Sequence, residues 1–171
     1  MALFEKEESK AMSVAFVREE SAETAAEIEF PDRPISPHPN LVTAAGLKAL
    51  ENAVAAAQAA YDAAHGIEDA NERRRAGAAA ARDLQYFNER LKTAQVVSPP
   101  PAPRTVAFGT LVTFKLDDGR RQSFRIVGED EADPRNGSIS YVSPVARALA
   151  GKAVGEFVAV ADHEIEILAI A

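Results

Sequence analysis

Residues 43–97 decide the fold, with the sequence TAAGLKALENAVAAAQAAYDAAHGIEDANERRRAGAAAARDLQYFNERLKTAQVV. The stretch is rich in alanine, and apolar or small residues recur in it at alternating spacings of three and four, which is the heptad pattern of a coiled coil. This recurrence predicts two helical seams. The first contains Leu47, Leu50, Val54, Ala57, Tyr61 and Ala64, and the second contains Gly77, Ala80, Leu84, Phe87, Leu91 and Ala94.

The two seams match each other when the chain folds back on itself. Antiparallel partners have a constant sum of residue numbers, and the six seam pairs all sum to 141, as Ala64 and Gly77 do. This register predicts an antiparallel helical hairpin over residues 41–97, with its turn at Ala70 and Asn71. Roughly 22 residues per arm would give a rod about 33 Å long.

The tip of the hairpin, residues 65–75, carries charges of both signs. Its acids could ligate a hard cation, because such a cation prefers carboxylate oxygens, or they could simply cap a helix N-terminus. Its bases could contact RNA or an acidic surface, although a basic run on a helix is commonly a solvated face. The candidate site residues are the acids Glu68, Asp69 and Glu72 and the bases Arg73, Arg74 and Arg75.

Residues 1–40 precede the hairpin and hold most of the excess negative charge. They contain nine acidic and four basic residues, a net charge of −5, and their last part includes Pro31, Pro34, Pro37 and Pro39. Proline removes backbone donors and favours extended geometry, and a highly charged segment does not bury enough apolar surface to fold. We therefore expect a flexible acidic arm that ends in an extended connector.

A second region follows the proline-rich linker SPPPAP at residues 98–103. Residues 104–171 contain short runs typical of strands, an Asp-Asp-Gly turn at residues 117–119 and one short helix from Pro144 to Ala150. This pattern predicts an α+β fold, in which a curved antiparallel sheet packs against one helix. Strands are expected at residues 105–108, 110–116, 122–127, 138–142, 157–161 and 164–170, and core aromatic side chains at Phe108, Phe114, Phe124, Tyr141 and Phe157.

Composition narrows the classes of function. The chain has 171 residues, 47% of them hydrophobic, no cysteine and a formal net charge of −7. An acidic protein is poorly suited to bind nucleic acid chiefly through phosphates, so any contact with nucleic acid should be indirect. The lack of cysteine excludes disulfides and thiolate metal sites. Because no apolar run is long enough for a membrane span or a secretory signal, we expect a cytoplasmic protein without membrane contact.

Residues 124–158, FRIVGEDEADPRNGSISYVSPVARALAGKAVGEFV, resemble the C-terminal domain of the GreA/GreB transcript cleavage factors. The motifs that carry the resemblance are Arg125 to Gly128, Glu129 to Asp133, Ser143 to Leu149, and Gly151-Lys152 followed by Val154-Gly155. Upstream, Val42-Thr43 with Gly46-Leu47 is similar to the start of that family's hairpin, and Thr93 to Val97 is similar to its end. The resemblance covers about residues 40–171 and implies an FKBP-like C-terminal domain over residues 104–171.

The resemblance also implies a function. In that family the C-terminal domain docks on bacterial RNA polymerase beside its secondary channel, and the hairpin reaches down the channel towards the nascent RNA 3′ end. It implies a monomeric elongation factor that is not itself an enzyme, but stimulates the polymerase to cleave backtracked RNA. No cofactor is expected on the isolated protein, and Asp69 and Glu72 would share the polymerase's active-site Mg²⁺, which lowers the pKa of its water. The implied docking residues are Glu129, Asp130, Glu131, Asp133, Pro134, Ser143 and Pro144.

The tip departs from the family pattern, which is approximately G-D-L-x-E-N. Aligned without gaps from Gly66, the two family acids fall on Ile67 and Ala70, whereas a shift of two residues recovers Asp69 and Glu72 at the same spacing. The first arm is also about ten residues shorter than is typical, or roughly 15 Å of reach. One alternative is therefore a polymerase-binding regulator or inhibitor without cleavage activity, similar to the short-hairpin regulators of nucleoside diphosphate kinase. A prolyl isomerase is a third class, which a shared fold does not establish.

Overall fold

The computed structural model describes residues 30–160 and 163–171, so the predicted acidic arm lies outside the described residues as far as residue 29. Two long helices form the predicted hairpin, α1 over Ala44–Ala64 and α2 over Ala70–Thr93. The Thr43 hydroxyl caps α1 by accepting a hydrogen bond from the Gly46 N–H at 3.0 Å. Two short parallel strands, β1 (Leu41–Val42) and β2 (Gln95–Val96), join the open ends of the hairpin.

The seam between the helices has the predicted register at the tip. Every predicted seam position is at least partly buried, and Leu50, Ala57, Ala64 and Ala80 are fully buried. A Cβ atom placed on Gly77 would lie 3.9 Å from the Cβ of Ala64, so these two residues face each other. Small residues at such positions let two helix backbones approach closely.

The turn of the hairpin lies at residues 65–69, and the prediction of a turn at Ala70 and Asn71 is wrong. Asp69 caps α2, which therefore begins at Ala70. Because Ala64 faces Gly77, the first turns of α2 extend beyond the end of α1. The prediction assumed a symmetric turn, whereas the cap at Asp69 starts the second helix earlier and makes the tip asymmetric.

Residues 104–171 contain a five-stranded sheet made of β3 (Leu111–Leu116), β4 (Arg121–Val127), β5 (Ser138–Ser140), β6 (Phe157–Val160) and β7 (His163–Ile170). The strand order in the sheet is β5-β4-β3-β7-β6. Neighbouring strands are antiparallel except β4 and β5, which are parallel, so the predicted antiparallel sheet has one exception. Parallel neighbours need a crossover connection, and residues 128–137, which include a 3₁₀ helix at Pro134–Asn136, provide it.

The core of this α+β region lies between the sheet and a third helix, α3 (Pro144–Leu149). Leu149 and Ile167 have no exposed surface, and Phe114 is buried as predicted. Phe157 is 60% exposed, so its prediction as a core residue is wrong; it lies on the edge strand β6. The strand predicted at residues 105–108 is also absent, and only a single bridge joins Thr105 to Ala153.

Residues 30–40, named the strap below, correspond to the end of the predicted arm and its extended connector, and they lie along α2. The Arg33 guanidinium stacks 3.8 Å above the Tyr86 ring and lies 3.5 Å from the Asp83 carboxylate. At the other end of the strap the buried Asn40 side chain donates to the Arg90 carbonyl at 2.6 Å. Within the described ranges 30–160 and 163–171, no helix is both long and apolar enough to cross a membrane.

Candidate functional site at the hairpin tip and base

The acids of the tip have different surroundings. One oxygen of Asp69 accepts hydrogen bonds from the backbone N–H groups of Asn71 at 3.0 Å and Glu72 at 2.7 Å. Asp69 is therefore the N-cap of α2, where a negative charge also complements the helix dipole. Glu68 and Glu72 are exposed. The tip thus presents one positioned carboxylate and two solvated ones.

The three arginines of the tip also differ. The Arg73 guanidinium donates to the carbonyls of Ile67 at 2.8 Å and Glu68 at 3.4 Å, so it closes the turn back onto α2. Arg74 and Arg75 are exposed and have no ion pair within the part of the chain that the structure describes. Their charges face solvent.

The tip carries two exposed carboxylates, Asp69 and Glu72, whose oxygens bear on metal binding. Among residues 30–160 and 163–171, no three His, Cys, Asp or Glu side chains gather as metal ligands. Both hydrogen bonds to Asp69 end on Oδ1, and Oδ2 receives none from the described residues. Asp69 Oδ2 and the Glu72 carboxylate could each supply one oxygen ligand, and a hard cation would need its other ligands from elsewhere.

A cleft of about 350 Å³ opens on one side of the hairpin near the tip. The Tyr61 and His65 rings meet edge to face in it, with centroids 4.9 Å apart, and Arg73 and Arg74 also line it. Its floor includes Gly77, which has no side chain to fill the space. Two guanidinium groups beside an aromatic pair make this a surface suited to anionic groups.

The base of the hairpin is fixed to the C-terminal region by a buried arginine. Arg90 is 2% exposed, and its Nε donates to Asp130 Oδ2 at 2.5 Å. Its Nη2 lies 3.8 Å from the Glu129 carboxylate. The Tyr86 hydroxyl donates to the second oxygen of Asp130 at 2.7 Å. Charge pairs with added hydrogen bonds of this kind hold two elements in one geometry.

Glu131 makes the second connection between the two regions. Its carboxylate accepts from the Thr43 N–H at 2.8 Å and from the Thr43 hydroxyl, at the N-terminus of α1. The carboxylate lies so close to Gly46 that a Cβ atom there would be 2.0 Å from the Glu131 Cδ. We name the set Thr43, Tyr86, Arg90, Glu129, Asp130 and Glu131 the interlock.

Two tyrosines at the interlock have raised pKa values. Burial raises the pKa of the Tyr86 phenol above its ordinary value, and the hydrogen bond to the ionised Asp130 raises it further. Burial likewise raises the pKa of Tyr141, with a contribution from the Glu129 charge. The Tyr141 hydroxyl donates to the Pro39 carbonyl at 2.5 Å, which ties the strap to the same place.

The predicted docking residues therefore divide into two groups. Glu129, Asp130 and Glu131 have partners inside the chain, which the sequence analysis missed. A buried arginine needs an acidic partner, but the position of Arg90 beside the seam residue Leu91 does not by itself show that it is buried. Their docking role stays a prediction, as it does for the rest of the set.

The remaining predicted docking residues lie nearer the surface. Asp133 caps the 3₁₀ helix by accepting from the Arg135 N–H at 3.1 Å, and Ser143 caps α3 by accepting from the Ala146 N–H at 3.2 Å. Pro134 and Pro144 begin these two helices and are exposed. Asp133 is also exposed, and Ser143 is half-buried.

Comparison with known proteins finds matches in sequence over most of the chain. A family model described as "Transcription elongation factor, GreA/GreB, C-term" matches residues 101–171. Transcription elongation factor GreA of Ralstonia nicotianae is 35% identical over 129 residues, covering 71% of this chain and 81% of that protein. These matches define a class, the transcription elongation factors of bacteria. The chain belongs to the GreA/GreB family.

Other relatives match over shorter spans. Transcription elongation factor GreB of Pseudomonas aeruginosa is 47% identical over 70 residues, which is 40% of this chain and 42% of that protein. The crystal structure of GreA factor homolog 1 of Thermus thermophilus is 20% identical and covers 78% of this chain and 99% of that one, with a TM-score of 0.37. A TM-score of this size is too low to support a shared overall arrangement.

Proposed function

We propose that this protein binds bacterial RNA polymerase at the rim of its secondary channel, inserts the hairpin, and stimulates cleavage of backtracked RNA. The observation that carries the proposal is the exposed tip, where Asp69 and Glu72 stand at the end of a helix of 24 residues, about 36 Å long. The interlock fixes the base of that helix to the region that matches the GreA/GreB C-terminal model. Docking of the C-terminal region on the polymerase would therefore fix the direction in which the hairpin points.

The two tip acids would have distinct roles. Asp69 is held by its bonds to the first turn of α2, so its second oxygen has a defined direction. Glu72 is exposed on that same first turn. Asp69 and Glu72 would each give one oxygen to a magnesium ion held mainly by the polymerase. When bound, such an ion would supply an activated water and would stabilise the leaving oxygen.

The second candidate function is a regulator that occupies the channel without stimulating cleavage. Two observations favour it: Asp69 already uses one oxygen as a helix cap, and α1 contains only 21 residues, about 31 Å. Metal-assisted cleavage requires the tip acids to be placed accurately. A hairpin too short to bring them to the active centre would still dock on the polymerase but would not stimulate cleavage.

The test is transcript cleavage in stalled, backtracked complexes of the cognate polymerase. Asp69→Asn keeps a capping side chain but removes the charge, so it separates chemistry from helix stability, whereas Asp69→Ala removes both. We expect Asp69→Asn and Glu72→Gln each to lower the stimulated cleavage rate about 10- to 100-fold, the usual effect of disturbing a metal site. Glu51→Gln, on the exposed side of α1, is the matched control and should retain full activity.

The outcomes separate the candidates. Wild-type protein that binds polymerase but does not accelerate cleavage supports the second candidate. If Asp69→Asn stimulates transcript cleavage at the wild-type rate, Asp69 takes no part in the cleavage reaction. Absence of any binding to the polymerase contradicts both candidates.

A further inference from the structure

The cleft of about 350 Å³ near the hairpin tip is open because small residues line its centre. Ala64 from α1 and Gly77, Ala78 and Ala81 from α2 all contribute to this lining. A Cβ atom placed on Gly77 would lie 3.9 Å from the Ala64 Cβ and, among the described residues outside its own helix backbone, would meet nothing closer. The cleft therefore results from small side chains on both helices.

The aromatic part of the cleft is held in place by two contacts. The Tyr61 and His65 rings meet edge to face, with an angle of 72° between their planes. His65 Nδ1 also lies 2.9 Å from the Tyr61 carbonyl oxygen, and because a carbonyl only accepts, this nitrogen donates. The imidazole thus has a defined orientation. Aromatic rings fixed in this way are suitable for stacking against a nucleobase.

The cationic part of the cleft consists of Arg73 and Arg74. Arg73 uses Nη1 to bond the turn, and within residues 30–160 and 163–171 no hydrogen bond uses its other guanidinium nitrogens. Arg74 is exposed. Guanidinium groups bind phosphate oxygens through paired hydrogen bonds. Of the described residues that line the cleft none is acidic, since Asp69 and Glu72 lie outside the lining.

We propose that this cleft binds a free nucleoside monophosphate, whose base stacks on Tyr61 and His65 and whose phosphate pairs with Arg73 and Arg74. An aromatic pair and a cationic pair around one cavity fit a ligand that carries a flat ring and an anion on one small molecule. The volume of about 350 Å³ is near the lower end of the range for small-molecule sites, about 300 to 1,000 Å³, which suits a mononucleotide. All four side chains belong to this chain, so binding requires no polymerase and the proposal does not rest on the proposed function.

Titration of the full-length ¹⁵N-labelled protein with AMP tests the site, because amide NMR shifts report both the place and the strength of binding. We expect saturable shifts at residues 61–65 and 73–78, while the β3–β4 turn at residues 117–119 stays unchanged. Adenosine lacks the phosphate, and ribose 5-phosphate lacks the base. Each of these two probes should bind at least about tenfold more weakly than AMP.

Substitutions in the lining identify the contacts. Arg74→Gln should weaken AMP binding about tenfold, because it removes a charge-assisted bond to the phosphate. His65→Ala should weaken it about fivefold or more, because it removes part of the stacking surface. Arg75→Gln is the matched control and should bind AMP as the wild-type protein does, since Arg75 is also exposed and follows Arg74 but does not line the cleft.

Gly77→Ala gives an independent check on the cavity itself. The added methyl group occupies part of the cleft, so AMP should bind about threefold more weakly. The same change should make the protein more resistant to urea, because alanine favours a helix more than glycine does. Weaker binding by a more stable variant is not explained by unfolding.

Three results would overturn the proposal. The first is the lack of saturable shifts at residues 61–65 and 73–78 at AMP concentrations up to about 10 mM. The second is binding of ribose 5-phosphate as tight as that of AMP, which would show a surface that attracts anions without recognising a base. The third is an Arg75→Gln variant that loses as much affinity as Arg74→Gln, which would place the contact outside the cleft.

Discussion

Replacing Arg90 by methionine should destabilise the protein by about 3 kcal/mol. Arg90 is 2% exposed, and its partners Asp130 and Glu129 have side chains only 14% and 24% exposed. Removing one partner of a buried ion pair typically costs about 3 to 5 kcal/mol, because the other charge is left buried without compensation. The partial exposure of the two acids places the expected cost at the lower end. Against a total stability of about 5 to 15 kcal/mol, this is a large loss.

A double-mutant cycle separates the charge pair from the loss of packing. Methionine retains much of the apolar stem of Arg90. Most of the lost stability should therefore come from leaving the Asp130 carboxylate without its arginine. Asp130→Leu alone should also be costly, since it leaves the buried arginine with only the Glu129 carboxylate, 3.8 Å away. The two changes together should cost clearly less than their sum. We expect a coupling free energy of about 2 kcal/mol, within the range for residues in direct contact.

Urea unfolding of each variant, followed by far-ultraviolet circular dichroism, measures these free energies. Lys92→Met is the matched control on the same helix, because its side chain is 77% exposed and its nitrogen lies 3.7 Å from the Glu89 carboxylate. A surface pair of this kind should contribute less than about 0.5 kcal/mol. An Arg90→Met variant as stable as the Lys92→Met control would refute the assignment of the interlock as a major contact.

Further predictions concern single positions. Gly46→Ala should destabilise the protein by about 1 to 3 kcal/mol, because its Cβ would displace the Glu131 carboxylate. Gly77→Ala should instead stabilise the protein by up to about 1 kcal/mol, because alanine favours a helix more than glycine does. The urea concentrations at the unfolding midpoints of the two variants compare these effects. Asp69→Ala should cost about 1 kcal/mol in unfolding free energy and Asp69→Asn almost nothing, if the carboxylate acts there as a cap. The raised pKa of Tyr86 means that its contribution to stability is complete below the ordinary tyrosine pKa of about 10 and is lost as pH rises through the raised value. Unfolding at several alkaline pH values should show this loss, and Tyr86→Phe should reduce the dependence.

The hairpin could be predicted from the sequence because its contacts repeat locally. Heptad spacing places small and apolar residues on one side of each helix, and only one register pairs all of them, including Ala64 with Gly77. The α+β character of the C-terminal region follows from strand-length apolar runs broken by turn residues. The acids and arginines of the tip were identified on the same basis, although which acid acts as a cap depends on where α2 begins.

Only the tertiary structure decided how the two regions are joined. Arg90 and Asp130 are 40 residues apart, and Thr43 and Glu131 are 88 residues apart, so no local period connects them. A charged side chain has no fixed burial of its own, and whether it is solvated or paired depends on what the fold brings near it. The same reason applies to the strap. The sequence predicted that Arg33 belongs to a flexible arm, whereas the fold places its guanidinium over the Tyr86 ring. Sequence periodicity thus determined the two regions, and long-range charge pairing determined their junction.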